Sequence, residues 1–322
     1  MNDPTESARS PAPGEFGLIA WIRARSAAGG RVALGIGDDC ASLRFTPGAE
    51  VLVTTDMLMD GRHFRLGEAT PAEIGHKALA VNLSDIAAMA GVPVAAFVAV
   101  ALPRGRAVAV ATGLHDGMLA LADRFGVSLA GGDTNAWDGP LVVSVTLLGE
   151  ATARGPVRRS GARPGDAVLV TGPLGGSLLG RHLRPTPRVA EALAIVEAAT
   201  VHAMIDLSDG LASDLGHILE ESGNLGATID AASIPIHADA HAASRLDGRP
   251  SLDHALGDGE DFELCLTLDP AEADRLLAGP PPGLTFARVG TIDAEPGLRL
   301  RRPDGSVVPL AAQGFDHLAP GV

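Results

Sequence analysis

The 322-residue sequence contains no tyrosine, one lysine (Lys77) and two cysteines, Cys40 and Cys265. The cysteines are far apart and have no metal-ligand spacing, which excludes a disulfide framework and a cysteine-built zinc site. No Gly-x-x-x-x-Gly-Lys-Ser/Thr sequence surrounds the lysine, which excludes a phosphate-binding loop of that type. A protein-kinase catalytic loop and a Gly-x-Ser-x-Gly turn are missing as well. Any phosphoryl transfer must therefore rely on metal ions and backbone amides.

Membrane spans and basic patches are also lacking. The uncharged stretch 86–103 is interrupted by Gly91 and Pro93, so it predicts a helix end, a turn at 91–93 and a buried strand over 94–102. The N-terminus is polar and acidic, unlike a signal peptide. A net charge of −14 makes nucleic acid an unsuitable partner. We expect a reduced cytoplasmic protein that contacts neither membrane nor nucleic acid.

The composition and the element pattern predict a mixed α and β protein with two domains. Hydrophobic residues make up 46% of the chain, enough for a sizeable core. A glycine- and proline-rich segment at 154–166 marks the boundary, giving a flexible tail over 1–13, an N-terminal domain over 14–150 and a C-terminal domain over 151–322. Helices are predicted over 15–28, 71–90, 106–125, 188–199 and 211–221, and strands over 51–55, 94–102, 141–148, 167–171, 227–230 and 262–268.

Acidic residues recur at strand ends and beside glycine. If they converge, each carboxylate pair about 4 Å apart costs roughly 1–4 kcal/mol, and hard cations such as Mg²⁺ or Ca²⁺ relieve that repulsion. Each group alone is equally typical of a turn, and Ser84, Asp85, Ser208 and Asp209 are equally typical of helix N-caps. The groups are Gly35-Ile36-Gly37-Asp38-Asp39, Thr54-Thr55-Asp56, Asn82-Leu83-Ser84-Asp85, Gly131-Gly132-Asp133-Thr134, Asp206-Leu207-Ser208-Asp209-Gly210 and Gly259-Glu260-Asp261.

These motifs, with several others in the same order, resemble the thiamine-monophosphate kinase family, which is part of the aminoimidazole-ribotide-synthetase-like superfamily. The resemblance runs from about Gly14 to His317. The further motifs are Gly-Arg-His-Phe (61–64), Lys-Ala-Leu-Ala-Val-Asn-Leu-Ser-Asp-Ile-Ala-Ala-Met (77–89), Arg-Ser-Gly-Ala-Arg-Pro-Gly-Asp (159–166), Arg-His-Leu-Arg-Pro-Thr-Pro-Arg (181–188), Gly-Glu-Asp-Phe-Glu-Leu (259–264) and Gly-Phe-Asp-His (314–317).

The resemblance implies a mixed α/β, two-domain aminoimidazole-ribotide-synthetase-like fold and a homodimer whose N-terminal sheets form a barrel. It implies ATP as co-substrate and several Mg²⁺ ions held by Asp39, Thr54, Thr55, Asp56, Asp85, Asp133, Asp206 and Asp209. By motif position, ATP would meet Gly132, Asp133, Arg159 and Ser208. Thiamine monophosphate would meet His63, Glu260 and Phe315.

The chain departs from the family pattern at several positions. These departures affect the expected contacts to the thiamine rings more than the expected metal site. The segment 172–181 is short, Asn135 replaces a common threonine, and Ala312 and Gln313 stand where a tryptophan is usual. Taken alone, His63 is also typical of a half-buried histidine, Arg159 of a solvated linker residue and Phe315 of a core residue.

The expected reaction is ATP-dependent phosphorylation of thiamine monophosphate to thiamine diphosphate by direct in-line transfer. Two alternatives stay open at this stage. One is another ATP-using member of the superfamily that makes an activated amide or a selenium–phosphate bond, for which Cys40 is the only candidate reactive residue. The other is a non-catalytic nucleotide- or Mg²⁺-binding regulator that has kept the fold.

Overall fold

The computed structural model describes residue 11 and residues 14–26 and 30–311. The described residues form two compact units, one within positions 1–86 and 92–153 and the other within positions 87–91 and 154–322.

The first unit is built on a four-stranded sheet. Its elements are α1 (Glu15–Arg25), β1 (Val32–Leu34), β2 (Ser42–Leu43), β3 (Val51–Met59), α2 (Pro71–Ala88), β4 (Gly91–Pro103), α3 (Ala107–Phe125), β5 (Ser128–Trp137) and β6 (Val142–Ala151). Strands β3 and β6 pair antiparallel, from Val51 opposite Glu150 to Met59 opposite Val142. Strands β4 and β5 pair in parallel, and the strand order is β3-β6-β4-β5. A short β1–β2 pair lies outside this sheet.

Helix α2 is the most buried helix of the first unit. It begins with a capping box, in which Thr70 N–H donates to Glu73 Oε2 (2.9 Å) and Glu73 N–H donates to Thr70 Oγ1 (3.3 Å). Helix α3 crosses it closely, because a Cβ at Gly75 would lie 2.1 Å from the Leu114 carbonyl oxygen and one at Gly117 would lie 1.9 Å from that of Ala72. Glycine at both crossing points lets the two backbones touch, which fixes α2 in place.

The second unit is built on a seven-stranded sheet. Its elements are β7 (Ala167–Val170), α4 (Val189–Ala198), β8 (Val201–Asp206), α5 (Leu211–Glu221), β9 (Gly226–Asp230), α6 (Ala238–Asp247), α7 (Ser251–Gly257), β10 (Leu264–Leu268), α8 (Pro270–Ala278), β11 (Ala287–Asp293), β12 (Gly297–Arg301) and β13 (Val307–Pro309). The strand order is β13-β12-β9-β11-β7-β10-β8. The pairings are antiparallel except for β12 beside β9, which is parallel. Strands β7 and β10 are buried along their whole length.

The predicted mixed α/β class is confirmed, and several element boundaries are corrected. The helix predicted over 15–28 ends at Arg25, and the strand predicted over 51–55 continues to Met59. The turn predicted at 91–93 comes earlier, because Ala90 has a positive φ of 51° and β4 begins at Gly91. The strand predicted from Phe262 starts at Leu264, since Phe262 also has a positive φ (53°) that extended backbone does not allow.

A further correction concerns helix ends. Ser84 and Asp85 lie inside α2 and are not N-caps, and Gly210, not Ser208 or Asp209, is the N-cap of α5. Among the described residues, no helix combines the length and the apolar character that crossing a membrane requires.

Candidate functional site

A carboxylate cluster in the first unit forms where β3 faces α2. Side chains alternate along β3, so Thr54 and Asp56 share the inward face with buried Leu52 and Leu58. Thr54 Oγ1 donates a hydrogen bond to Asp85 Oδ2 from α2. Burial, followed by the charge of Asp85, raises the pKa of Asp56 to about 7. The structure therefore brings together three predicted metal ligands that are separated by up to 31 residues.

The donor set of this cluster fits a hard divalent cation. Thr54, Asp56 and Asp85 offer only oxygen atoms, the ligand type that Mg²⁺ prefers. The raised pKa of Asp56 reflects first its burial and second the repulsion by the Asp85 carboxylate in the absence of a positive charge. A bound cation would remove that repulsion and keep Asp56 ionised.

Three other predicted metal ligands of the first unit, Thr55, Asp39 and Asp133, have different surroundings from this cluster. Thr55 is on the outward face of β3, where its hydroxyl is 3.1 Å from Thr146 Oγ1. Asp39 and Asp133 are exposed, and Asp133 Oδ2 accepts a hydrogen bond from Asn135 (2.9 Å). Their assignment as metal ligands stays a prediction.

A cavity of about 320 Å³ in the first unit brings two glycine-rich motifs together. Gly37 and Asp38 line it from one side, and Gly131, Gly132 and Asp133 from another. Gly132 has φ 152°, and a Cβ there would lie 1.9 Å from the Val98 carbonyl oxygen, so no other residue fits β5 at this point. The remaining walls are mainly apolar side chains of α1, α3 and the sheet, including Ile19, Ile22, Val98, Leu114, Met118 and Leu129.

His115 on α3 is a polar residue in the wall of this cavity that belongs to none of the sequence motifs. Burial and the nearby Arg25 lower its pKa to about 4, which keeps the ring neutral at pH 7. Its Nε2 lies 3.1 Å from Ser26 Oγ, and Trp21 meets the ring edge-on at 5.2 Å between centroids. The cavity thus combines apolar walls with a neutral imidazole.

A second carboxylate cluster lies in the second unit, where β8 ends and α5 begins. Asp206 is the last residue of β8 and is 2% exposed, while Ser208 and Asp209 follow in the connecting turn and are half-buried. Asp214, in the first turn of α5, accepts a hydrogen bond from Asp209 N–H (3.0 Å). Burial, then Asp206 and Asp209, raise the pKa of Asp214 to about 8, and Arg159 acts in the opposite direction.

Asp214 and His217 also lie in this second cluster, although neither was predicted from the sequence motifs. Ligand atoms of Asp209, Asp214 and His217 lie within 4.8 Å of one another, an arrangement able to hold a metal ion. The available signal was an aspartate at a buried position of an otherwise apolar helix face, three residues after the helix start. Buried carboxylates of this kind require a partner.

The segment that carries Glu260 is held against the same turn by backbone hydrogen bonds. Glu260 N–H donates to the Ser208 carbonyl (2.7 Å), and Asp261 N–H and Phe262 N–H donate to that of Leu207 (3.1 and 2.9 Å). Glu260 itself has a positive φ of 52°. Such a conformation costs roughly 1–3 kcal/mol in a non-glycine residue and is maintained only by surrounding contacts.

Two ion pairs hold the residues on either side of Phe262. Asp261 accepts hydrogen bonds from Gly175 N–H (2.9 Å) and Arg181 Nη2 (2.9 Å), although burial still raises its pKa to about 6. Glu263 binds Arg188 through two hydrogen bonds and also accepts one from Thr171 Oγ1 (2.7 Å). The arginines of motif 181–188 therefore fix the Glu260 segment.

His63 lies in a tight turn that follows β3. Its Nδ1 accepts a hydrogen bond from Met59 N–H (3.1 Å), which places the proton of the neutral ring on Nε2. His63 N–H donates to the Met59 carbonyl (3.0 Å), and Phe64 is buried (4% exposed). Phe315, the third predicted acceptor contact, lies outside the described residues.

Comparison with known proteins agrees with this two-unit architecture. The family model "AIR synthase related protein, N-terminal domain" matches residues 37–151, and its C-terminal counterpart matches residues 163–302. A thiamine-monophosphate kinase of Rhodopirellula baltica is 41% identical over 310 residues, covering 94% of this chain and 97% of the relative.

Two solved structures are similar over nearly the whole chain. The crystal structure of thiamine-monophosphate kinase from Stenotrophomonas maltophilia K279a has a TM-score of 0.78 at 38% identity, covering 91% of this chain and 98% of that one. The structure of AaThiL complexed with AMPPCP and TMP has a TM-score of 0.74 at 29% identity, covering 95% and 97%.

The fold and its carboxylate clusters define a two-domain protein of the AIR synthase related class. Within that class, the chain belongs to the thiamine-monophosphate kinase family, as the identity across 94% of its length shows.

Proposed function

We propose that this protein phosphorylates thiamine monophosphate to thiamine diphosphate with ATP. The observation that carries the proposal is the Thr54–Asp56–Asp85 cluster, an oxygen-only ligand set in a chain of this kinase family. The similar AaThiL structure holds AMPPCP and TMP, an ATP analogue and the phosphorylated acceptor.

For ATP, the first unit offers a base pocket and a phosphate-binding backbone. The apolar walls of the 320 Å³ cavity suit a nucleobase, and Gly132 and Asp133 at its margin suit the phosphates, because a strand without a Cβ allows close backbone approach. In the second unit, Arg159 and Ser208 are the residues assigned to ATP by the family resemblance.

Several Mg²⁺ ions would be held by the carboxylates of each unit, Asp56 and Asp85 in the first and Asp206 and Asp209 in the second. When bound, such ions neutralise phosphate charge. The aspartates position that positive charge and, through Thr54 and Asp214, are themselves positioned by hydrogen bonds. An acidic protein thereby becomes able to bind two anionic substrates.

The acceptor needs no general base. Its phosphate has a second pKa of about 6 and is largely dianionic at neutral pH. One of its oxygens attacks the γ-phosphorus of ATP in line, and the bond from that phosphorus to the oxygen of ADP breaks. His63 and Glu260 would contact the acceptor, and no phosphoenzyme is formed.

The outward face of β3 supports the proposed homodimer. Val51, Val53, Met57 and Met59 on this face are 40–63% exposed, more apolar surface than one strand of a lone sheet usually presents. We propose that a second copy covers it, and sedimentation velocity showing only monomers at micromolar concentration would contradict this.

Turnover should depend on an acceptor that already carries a phosphate. In a coupled ADP-release assay we expect steady turnover with thiamine monophosphate and at least about 100-fold less with thiamine, because the hydroxyl of thiamine must lose a proton to attack, whereas the phosphate of the monophosphate is already ionised. ADP release without any acceptor gives the background. Equal rates with thiamine and its monophosphate would disprove direct transfer to a phosphate. Binding of ATP without turnover would favour a regulator.

Glu260→Gln should raise the KM for thiamine monophosphate by about 10-fold, since loss of roughly 1.4 kcal/mol of attraction to the cationic thiazolium corresponds to that factor. The KM for ATP should stay within about twofold. Glu221 is an exposed residue on α5 in the same unit, so Glu221→Gln is the matched control. A selective rise in the KM for ATP would assign Glu260 to the nucleotide instead.

A further inference from the structure

Lys77 is the only lysine among the 25 basic Lys and Arg residues of the chain, and it is fully buried, with 0% of its surface exposed. Burying an ammonium group is costly unless its protons are hydrogen-bonded. Lys77 Nζ donates a hydrogen bond of 2.8 Å to the backbone carbonyl oxygen of His63. The contact joins the middle of α2 to the turn after β3.

The surroundings explain why this position holds lysine in a chain that otherwise uses arginine. Ile74, Ala78, Leu79 and Ala80 on the same helix are also at most 2% exposed, so the stem of residue 77 runs through close-packed core. A lysine stem with a compact ammonium suits such a position, whereas the planar guanidinium of arginine is wider.

The same helix also holds the carboxylate cluster. Asp85 lies eight residues after Lys77, a rise of about 12 Å along the helix axis. Asp85 accepts a hydrogen bond from the hydroxyl of Thr54, near the middle of β3. Lys77 donates a hydrogen bond to the turn at His63, just beyond the end of the same strand. One helix, fixed by its glycine crossing with α3, is thus attached to both places.

We infer that Lys77 is a positioning residue, which acts through His63 to set the distance between the acceptor-binding turn and the Asp56–Asp85 cluster. This inference rests on the proposed role of His63 as an acceptor contact. Displacements of about 1 Å at a reacting group can cost on the order of 100-fold in rate, so a fixed distance has functional value.

The test is a double-mutant cycle of Lys77→Met and His63→Ala, with KM for thiamine monophosphate, KM for ATP, kcat and Tm measured on each protein. Lys77→Met keeps the stem and removes the ammonium, leaving the His63 carbonyl without this donor. We expect a rise of about 10-fold in the KM for thiamine monophosphate and a KM for ATP within about twofold of wild type. In the His63→Ala background, Lys77→Met should add less than about twofold, because residues acting as one unit are not additive.

Two further variants separate positioning from stability. Ile74→Val truncates a fully buried neighbour on the same helix, and it should lower Tm without a selective change in either KM. Lys77→Gln, which restores a donor on a shorter stem, should recover part of the acceptor affinity and replaces Lys77→Met if the latter does not fold.

The inference is overturned if Lys77→Met raises both KM values equally, or if its effect is undiminished in the His63→Ala background. Absence of wild-type turnover with thiamine monophosphate would instead overturn the proposed function. The two failures are therefore distinguishable.

Discussion

Asp56→Asn and Asp209→Asn should each lower kcat by about 100-fold or more, because each removes a charged oxygen ligand from a site that positions phosphate-neutralising cations. Asp56→Asn should, at the same time, raise the stability of the metal-free protein. Burial, and then the charge of Asp85, raises the pKa of Asp56 from the usual 3.8 to about 7, so ionisation of this carboxyl opposes folding when no cation is bound.

The pH dependence of the metal-free protein follows from that raised pKa. A carboxyl whose folded pKa exceeds its unfolded pKa binds more protons in the folded state, so stability falls as pH rises through about 4 to 7. We expect the Tm of the wild type in EDTA to fall over this range and that of Asp56→Asn to fall less. Each kcal/mol of relieved repulsion should raise Tm by about 2–4 °C.

Asp138→Asn is the matched control, since Asp138 is an exposed aspartate in a surface pair with Arg104. It should leave kcat and the pH profile of Tm unchanged. Full activity of both Asp56→Asn and Asp209→Asn at limiting Mg²⁺ would rule out the proposed metal ligands. A lower Tm for Asp56→Asn in EDTA at pH 8 would contradict the repulsion argument.

Arg188→Met should destabilise the second unit by about 3–5 kcal/mol, because it leaves the Glu263 carboxylate buried without its cation. Glu263 is 7% exposed and takes two of its hydrogen bonds from Arg188. The remaining donor, Thr171 Oγ1, is neutral. Urea unfolding followed by circular dichroism measures the loss.

Two companion variants distinguish a lost charge pair from lost packing. Glu191 is the other carboxylate beside Arg188 and forms a more exposed i,i+3 ion pair with it. Glu191→Gln should therefore lower the free energy of unfolding by less than about 1 kcal/mol. The double variant Arg188→Met/Glu263→Met should recover much of the stability, since apolar residues can replace a buried pair at little cost. An Arg188→Met protein as stable as the wild type would show that Glu263 does not need the pair.

Glu263 and Asp56 illustrate which features of the protein could be predicted from its sequence and which could not. Both belong to motifs that were recognised from the sequence, and the strands that carry them were predicted, with boundaries in error by two to four residues. The role of Glu263 was not predicted, because Arg188 lies 75 residues away in sequence and only the fold of the second unit brings them together.

Local sequence determined the elements of this protein and the chemical type of its site. The apolar positions of α2, its Thr70–Glu73 start, the β-branched run of β3 and the recurrent aspartates each act through neighbours in the chain, so they can be read from periodicity and residue type. Residue type alone also excluded the P-loop and the zinc classes.

Tertiary structure alone decided which oxygens meet and which face solvent. Thr54 and Thr55 are adjacent in sequence, yet the two-residue period of β3 turns one toward Asp85 and the other toward Thr146. The positive φ of Glu260, the burial of Asp214 and the contact of Lys77 with His63 likewise depend on atoms distant in sequence. A carboxylate's pKa and a lysine's partner are set by distance and solvent exposure, and these exist only once the chain has folded.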